Sequence, residues 1–144
     1  MKYTLSGLLM LFFWSVGLTV VQPLSAQESG STSLDDTLFV KSLILTTGVD
    51  DHEPVDTVQA FSATVDSQAF CHIRIHNTTD PANIRFRWTN NDTVSSVYNT
   101  RVGISSSWRT FSAVDPQPGK WRVQILGPDG QVLKQKRFSI LADR

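Results

Sequence analysis

The stretch GKWRVQILGPDGQVLKQKRFSI, residues 119–140, predicts a β-hairpin and, with it, the fold class of the chain. Trp121, Val123 and Ile125 occupy every second position, which is the period of a strand with one buried face and one face in water. The Gly-Pro-Asp-Gly sequence at 127–130 fits a type I turn, because proline sets φ at the second position and aspartate suits the third. The chain therefore reverses and returns as a second strand.

The returning strand changes the face of its apolar side chains part of the way along. Leu133 is apolar on one parity, whereas Phe138 and Ile140 are apolar on the other. A change of parity requires an extra residue or a change of partner, so we expect a β-bulge within residues 134–137. The lysines and the arginine in that segment are also typical of a protected edge strand.

Short apolar or alternating runs recur between turn signals after residue 37. The predicted strands are residues 38–46, 58–64, 69–76, 83–89, 94–102, 107–114, 120–126 and 132–141. No segment there shows a sustained helical period with caps, and the strands do not alternate with helices as a parallel α/β sheet requires. We predict an all-β protein, an antiparallel immunoglobulin-like β-sandwich of about seven to eight strands.

Length and charge limit the classes of protein that this chain can represent. The chain has 144 residues, of which 40% are hydrophobic and 18% charged, and this suits one domain with a real core. Thirteen basic and thirteen acidic residues give a formal net charge of zero. This balance argues against a nucleic-acid partner held by bulk electrostatics, so any basic patch must be local.

The first 26 residues resemble an export signal. Lys2 supplies the positive start, residues 5–21 are apolar, and Pro-Leu-Ser-Ala at 23–26 fits a cleavage region. Leu24 stands where a small residue is preferred and the apolar run is long for a signal, so an uncleaved membrane anchor is the alternative. We expect a periplasmic or secreted protein, or in that alternative one anchored in the inner membrane and in contact with it.

Residues 27–37 are small and polar and predict a flexible tether, so the folded domain is expected to span residues 38–144. Cys71 is the single cysteine, which excludes an internal disulfide, and its distance from the cleavage region at 23–26 argues against a lipid-anchored lipoprotein. On its predicted strand Cys71 alternates inward with Ile73 and Ile75. The same alternation sends His72, Arg74 and His76 outward.

No segment carries a convincing catalytic or metal-binding motif. The acidic loop at 50–56 contains a His-Glu pair, but a zinc-peptidase helix needs a second histidine at position 56, which is aspartate, and Pro54 opposes a helix. The loop also lacks the glycine and glutamate spacing of an EF-hand. His72 and His76 lie about 13 Å apart along a strand, and no serine sits in a Gly-x-Ser-x-Gly turn. We predict no catalytic residue, no metal site and no cofactor.

Several short motifs resemble, in their order, those of the bacterial domain-of-unknown-function 2914 family. They are Leu-Thr-Thr-Gly-Val-Asp at 45–50, Glu-Pro-Val at 53–55, Phe61, Arg-Trp at 87–88, Ser-Trp-Arg-Thr at 107–110, Gly-Lys-Trp-Arg-Val at 119–123, Asp-Gly at 129–130 and Val-Leu at 132–133. The resemblance covers residues 40–141. It implies a bacterial, extracytoplasmic β domain of a kind often attached to membrane or envelope proteins, and it implies no activity, substrate or catalytic residue.

Aromatic and guanidinium groups are the side chains with which a β-sandwich holds sugars or anions. Trp88 and Trp121 share parity with aliphatic neighbours and are expected in the core. The candidate binding residues are Arg74, Arg85, Arg87, Trp108, Arg109 and Arg122. We predict a non-catalytic domain that binds an envelope protein or an anionic envelope component such as a glycan. The alternatives are a carbohydrate-binding module and, outside the binding class, a small hydrolase or metal protein.

Overall fold

A computed structural model describes residues 36–142 of the chain. The predicted signal segment, residues 1–26, and all but the last two residues of the predicted tether lie outside the described part. Within residues 36–142 no helix is long and apolar enough to cross a membrane.

The described residues form ten strands. Their bounds are β1 Leu38–Thr46, β2 Val49–Asp50, β3 Glu53–Pro54, β4 Ala60–Ser62, β5 Ala69–Asn77, β6 Ala82–Asn90, β7 Thr93–Val102, β8 Ser105–Val114, β9 Gly119–Leu126 and β10 Val132–Leu141. Eight of them correspond to the eight predicted strands; the other two, β2 and β3, make a short ribbon that the sequence pattern did not predict.

Two sheets and the ribbon account for all ten strands. One sheet has the order β1-β5-β8, the other the order β4-β10-β9-β6-β7, and β2 pairs with β3. Apolar side chains from both sheets belong to one core cluster, so the two sheets pack face to face as a sandwich. The predicted fold class is confirmed, with one parallel pair, β4 with β10, among the antiparallel ones. This pair forms because the segment after β1 crosses to the other sheet before β4 begins.

The core is centred on aromatic residues of the five-stranded sheet. Trp88 and Trp121 are 0% and 2% exposed, and their rings meet edge to face with centroids 6.4 Å apart. Phe138 stacks on Trp121 with a centroid separation of 6.3 Å. The indole Nε1 of Trp88 donates to the hydroxyl of Ser112 in the opposite sheet at 3.1 Å, so its polar atom is satisfied. The prediction that both tryptophans lie in the core is confirmed.

The hairpin between β9 and β10 contains the predicted turn and a bulge in a different place. The amide of Gly130 donates to the carbonyl of Gly127 at 3.0 Å, which closes the four-residue turn. The register shifts between Val132 and Lys134, so Leu133 is the extra residue, just before the segment in which we expected it. This shift pairs Phe138 with Trp121 on the buried face.

Candidate functional site

The structure divides the predicted binding residues between the two sheets. Arg74 lies on β5 and Arg109 on β8, in the three-stranded sheet. Arg85 and Arg87 lie on β6 and Arg122 on β9, which are neighbours in the five-stranded sheet. Because the sheets pack with their inner faces together, their outward side chains point in opposite directions. The six candidates therefore do not form one basic face.

Arg74 and Arg109 are cross-strand partners, and a carboxylate of the same chain joins them. Glu53 accepts two hydrogen bonds from Nη2 of Arg74, at 3.0 and 2.9 Å, and pairs with Nη1 of Arg109. The hydrogen bonds from Arg109 and Arg74 hold the pKa of Glu53 below its ordinary value. These two arginines therefore already have an internal counter-ion.

The β2–β3 ribbon that carries Glu53 also covers His72. Asp51 and His52 have φ of 44° and 63°, as a two-residue type I′ turn requires, and the ribbon folds over the outer face of the three-stranded sheet. His72 has the outward parity that the alternation predicts, but it is 0% exposed because the ribbon covers it, so it does not face water. Its Nε2 lies 2.8 Å from the carbonyl oxygen of His52. Burial is the main cause that lowers the pKa of His72 and favours the neutral ring.

The acidic loop at 50–56 uses its carboxylates for structure. Asp56 accepts hydrogen bonds from the hydroxyls of Thr46 and Thr47 at 2.7 and 2.6 Å and from the amide of Thr47 at 2.8 Å. These contacts, that of the Thr47 hydroxyl first, lower the pKa of Asp56. Within residues 36–142 no group of three or more histidine, cysteine, aspartate or glutamate side chains could hold a metal ion.

Cys71 is buried, and burial raises the pKa of its thiol, so it is a small apolar core residue as predicted.

A polar network crosses the outer face of the five-stranded sheet. Nε and Nη2 of Arg87 donate to Oε1 of Gln124 at 3.0 and 2.6 Å. Gln124 in turn donates through Nε2 to Oε1 of Gln135 at 2.9 Å. Arg87 is thus held in place by a neutral partner, so its charge is not compensated there.

Next to this network lies an open groove of 760 Å³ with three cationic side chains. Arg122 and Arg137 are direct cross-strand partners on β9 and β10, and Lys120 lies two positions before Arg122 on the same face of β9. No ion pair joins any of the three to a carboxylate within residues 36–142. Nε of Arg122 is buried and has no hydrogen-bond partner in that range.

The rest of the groove is lined by four polar residues and by the aromatic residues Trp121 and Phe138. Thr89, Asn91 and Ser139 line it with hydroxyl and amide groups that can donate hydrogen bonds. Asp92 is the single acidic residue in the lining, so the three cationic side chains and this one anionic side chain leave a formal charge of +2. The groove is therefore an electropositive, hydrogen-bonding surface.

Sequence reasoning identified Arg122 but missed Arg137 and Lys120 as its neighbours. The bulge at Leu133 decides which residue faces Arg122: without the shift the partner would be Lys136, whose parity is that of the buried face. Lys120, Arg122 and Gln124 are spaced two residues apart, and this spacing was the signal in the sequence that they share the outer face of β9. The facing row could not be placed before the bulge was located.

The exposed rings of Trp108 and Tyr98 belong to different sheets and do not make a row. Trp108 on β8 is 38% exposed and lies over Gly103, where an added Cβ would be 2.7 Å from its ring. Tyr98 on β7 is 47% exposed and belongs to the other sheet. The stacking platform of several aromatic rings expected of a carbohydrate-binding module is not present among these residues.

Comparison with known proteins supports the family suggested by the sequence. Residues 81–140 match the family model described as Protein of unknown function (DUF2914). The match confirms the resemblance over these residues, which include all of β6, β7, β8 and β9 and all but the last residue of β10. The motifs at 45–50, at 53–55 and at Phe61 lie outside it. No curated protein matches the chain.

Solved structures support the fold. An immunoglobulin-like protein from Pseudomonas aeruginosa superposes with a TM-score of 0.51 at 8% identity, over 75% of this chain and 99% of that chain. A β-glucosidase from Kluyveromyces marxianus gives a TM-score of 0.43 at 8% identity, over 72% of this chain and 14% of that one, which is too distant to support an argument. The first similarity shows an immunoglobulin-like fold. It and the family match fit a non-catalytic protein.

Proposed function

We propose that this chain is a non-catalytic binding domain that works outside the cytoplasm and holds an anionic envelope component or an acidic protein surface in the Arg122–Arg137 groove. One observation carries the proposal: two arginines face each other directly across two strands, and no carboxylate within residues 36–142 pairs with them.

Like charges directly opposite each other on an antiparallel pair are destabilising, so this arrangement has a cost in the free domain. The three-stranded sheet contains the same arrangement, Arg74 opposite Arg109, and there Glu53 supplies the missing negative charge. By analogy, the pair in the groove lacks a counter-ion that a ligand can bring.

The geometry of the groove suits an anion with several oxygens. A guanidinium offers five N–H donors in a planar fork, which matches a carboxylate or a phosphate in two parallel hydrogen bonds. Arg122 still has a buried, unpaired Nε, and leaving such a donor unsatisfied costs stability. A bound oxyanion would satisfy it, and Lys120 would add a third positive charge at the same surface.

The amino-terminal pattern supports a site of action in the cell envelope. Lys2 followed by the apolar residues 5–21 has the order of an export signal. The expected mature protein begins near Gln27, so its mass should fall below the 16.0 kDa of the whole chain. Mass spectrometry of protein from the fractionated host tests this. A full-length species confined to the cytosol would contradict the proposed location.

The binding proposal is tested with pyrophosphate and hexaglutamate as anionic probes, added to protein recovered from the host envelope. Titration calorimetry should show binding that weakens as salt is added. Arg137→Gln and Arg122→Gln should each weaken it by about 10- to 100-fold, because a hydrogen bond to a charged group contributes about 1.5–3 kcal/mol. Arg85→Gln is the matched control, since Arg85 lies on the same sheet but outside the groove lining.

The stability of the same variants gives a second measurement, because the substitution that weakens binding is expected not to weaken folding. Without a probe, Arg137→Gln removes a like-charge contact and should leave the free energy of unfolding unchanged or raised by roughly 0.2–1 kcal/mol. Loss of binding together with retained stability separates a ligand site from a structural role. Equal affinity in wild type, Arg137→Gln and Arg85→Gln would refute the groove as the site.

A further inference from the structure

The free edge of the five-stranded sheet is a second surface that the binding proposal does not use. This edge is β7, which within residues 36–142 pairs with β6 alone. Its second side therefore presents a row of backbone N–H and C=O groups, which is the usual template for pairing with another strand. Val94, Val97 and Tyr98 on this strand are 55%, 49% and 47% exposed.

The other edges of the sandwich carry features that prevent pairing. Strand β1 has a register shift and a lysine, Lys41, at that point, and β4 is only three residues long. Strand β8 has a β-bulge, because two of its residues lie opposite the single residue His76 of β5. In β10 the part that β4 does not cover contains two lysines and an arginine. Charges and bulges of this kind block edge-to-edge association.

Strand β7 is different over most of its length. Its one irregularity is at Ser95, near its start, and from Ser96 to Val102 it runs in unbroken register with β6. This regular stretch contains no proline, glycine, lysine or acidic residue, and Arg101 is its single charge. Seven consecutive residues are thus available for pairing, which is a full strand by the usual length.

We infer that β7 pairs antiparallel with β7 of a second copy of this chain. A two-fold axis at Asn99 pairs residues 96–102 of one copy with residues 102–96 of the other. Tyr98 then meets Thr100, an aromatic side chain beside a β-branched one, which is a favourable cross-strand pair. Arg101 meets Val97 and not the other Arg101, so no like charges face each other. A parallel arrangement would instead bring the two Arg101 side chains together.

The symmetric pairing has a consequence for the groove. A two-fold axis perpendicular to a sheet keeps each outer face on the same side, so the dimer presents both Arg122–Arg137 grooves in one direction. Two linked sites bind a repeating polyanion more tightly than either does alone. Dimerisation itself depends only on the strand edge, so it can hold even where the groove proposal fails.

The test uses the whole protein recovered from the host envelope. Analytical ultracentrifugation should give twice the mass of one chain for the wild type. Asn99→Asp places two carboxylates opposite each other at the axis and should give the monomer mass. In the monomer this same change sets a carboxylate beside Arg85, the partner of Asn99 on β6, so the domain should stay folded. Far-UV circular dichroism checks that it does.

A cross-link locates the axis independently. Asn99→Cys should form an intermolecular disulfide under mild oxidation, since side chains paired across an antiparallel ladder lie within the reach of that bond. Val132→Cys is the control, because Val132 is 48% exposed on β10 of the same sheet but distant from the axis. A monomeric wild type, or cross-linking at position 132 equal to that at position 99, would overturn the proposal, and a partner strand from another protein would then be the occupant of β7.

Discussion

Replacing Trp121 by alanine tests the packing of the sandwich at its centre. The ring is 2% exposed and contacts Trp88 and Phe138 at centroid separations of 6.4 and 6.3 Å. An aromatic side chain of this size buries roughly 200 Å², which at about 25 cal/mol per Å² corresponds to roughly 5 kcal/mol. Alanine keeps part of that area, and measured Trp-to-Ala costs of about 3–5 kcal/mol agree. We expect a loss of about 4 kcal/mol.

The assay is urea denaturation followed by far-UV circular dichroism, because tryptophan fluorescence itself changes in the variant. A loss of about 4 kcal/mol corresponds to a melting temperature lower by roughly 20 °C in a domain of this size. Trp108→Ala is the matched control: the residue type is the same, but its side chain is 38% exposed, so we expect a cost below about 2 kcal/mol. Equal destabilisation by the two variants would refute the assignment of buried and exposed faces.

Three further results are expected. Stability should fall in two steps as the pH is lowered. The first step lies below 6.5, because the unfolded chain protonates His72 before the folded one does, and the second lies below 4.5, where the same holds for Glu53 and, below 3.8, for Asp56. Urea denaturation across this range checks both steps, and Glu53→Gln should weaken the second. Gly119→Ala should lower the free energy of unfolding by about 1–3 kcal/mol in the same assay, because Gly119 has φ of 150° and an added Cβ would lie 2.0 Å from the side-chain oxygen of Asn90. Gly48→Ala is the control and should cost less, because its added Cβ would have its nearest contact at 3.3 Å. Chelator should leave the melting temperature unchanged, and a drop reversed by zinc or calcium would show that the loop at 50–56 holds a metal.

Most strands could be predicted because the chain alternates clearly. In β6 the isoleucine, phenylalanine and tryptophan at 84, 86 and 88 are 0% exposed, and the arginines between them face outward. A period of two identifies both the element and its buried face when one side of a sheet meets water. The same reasoning placed Cys71 and Trp121 in the core, where the structure has them.

The surface could not be predicted to the same depth, because alternation gives faces but not neighbours. His72 has the parity of an outward residue, and it is buried because a ribbon from elsewhere in the chain lies over it. Arg74 and Arg122 both point outward, but they belong to different sheets. Which strands pair, and in which register, depends on bulges and crossovers that single residues such as Leu133 decide.

Comparison of the two arginine pairs of this domain supports the proposed anion site in the groove. Arg74 and Arg109 show that the sandwich tolerates facing guanidinium groups when a carboxylate lies between them. Arg122 and Arg137 repeat the geometry on the other sheet without one. An anion bound as we propose would relieve the repulsion between these two arginines, and this relief would add to the free energy of binding. On this proposal, the facing arginines that lower the stability of the free domain are the residues that would favour an anionic ligand.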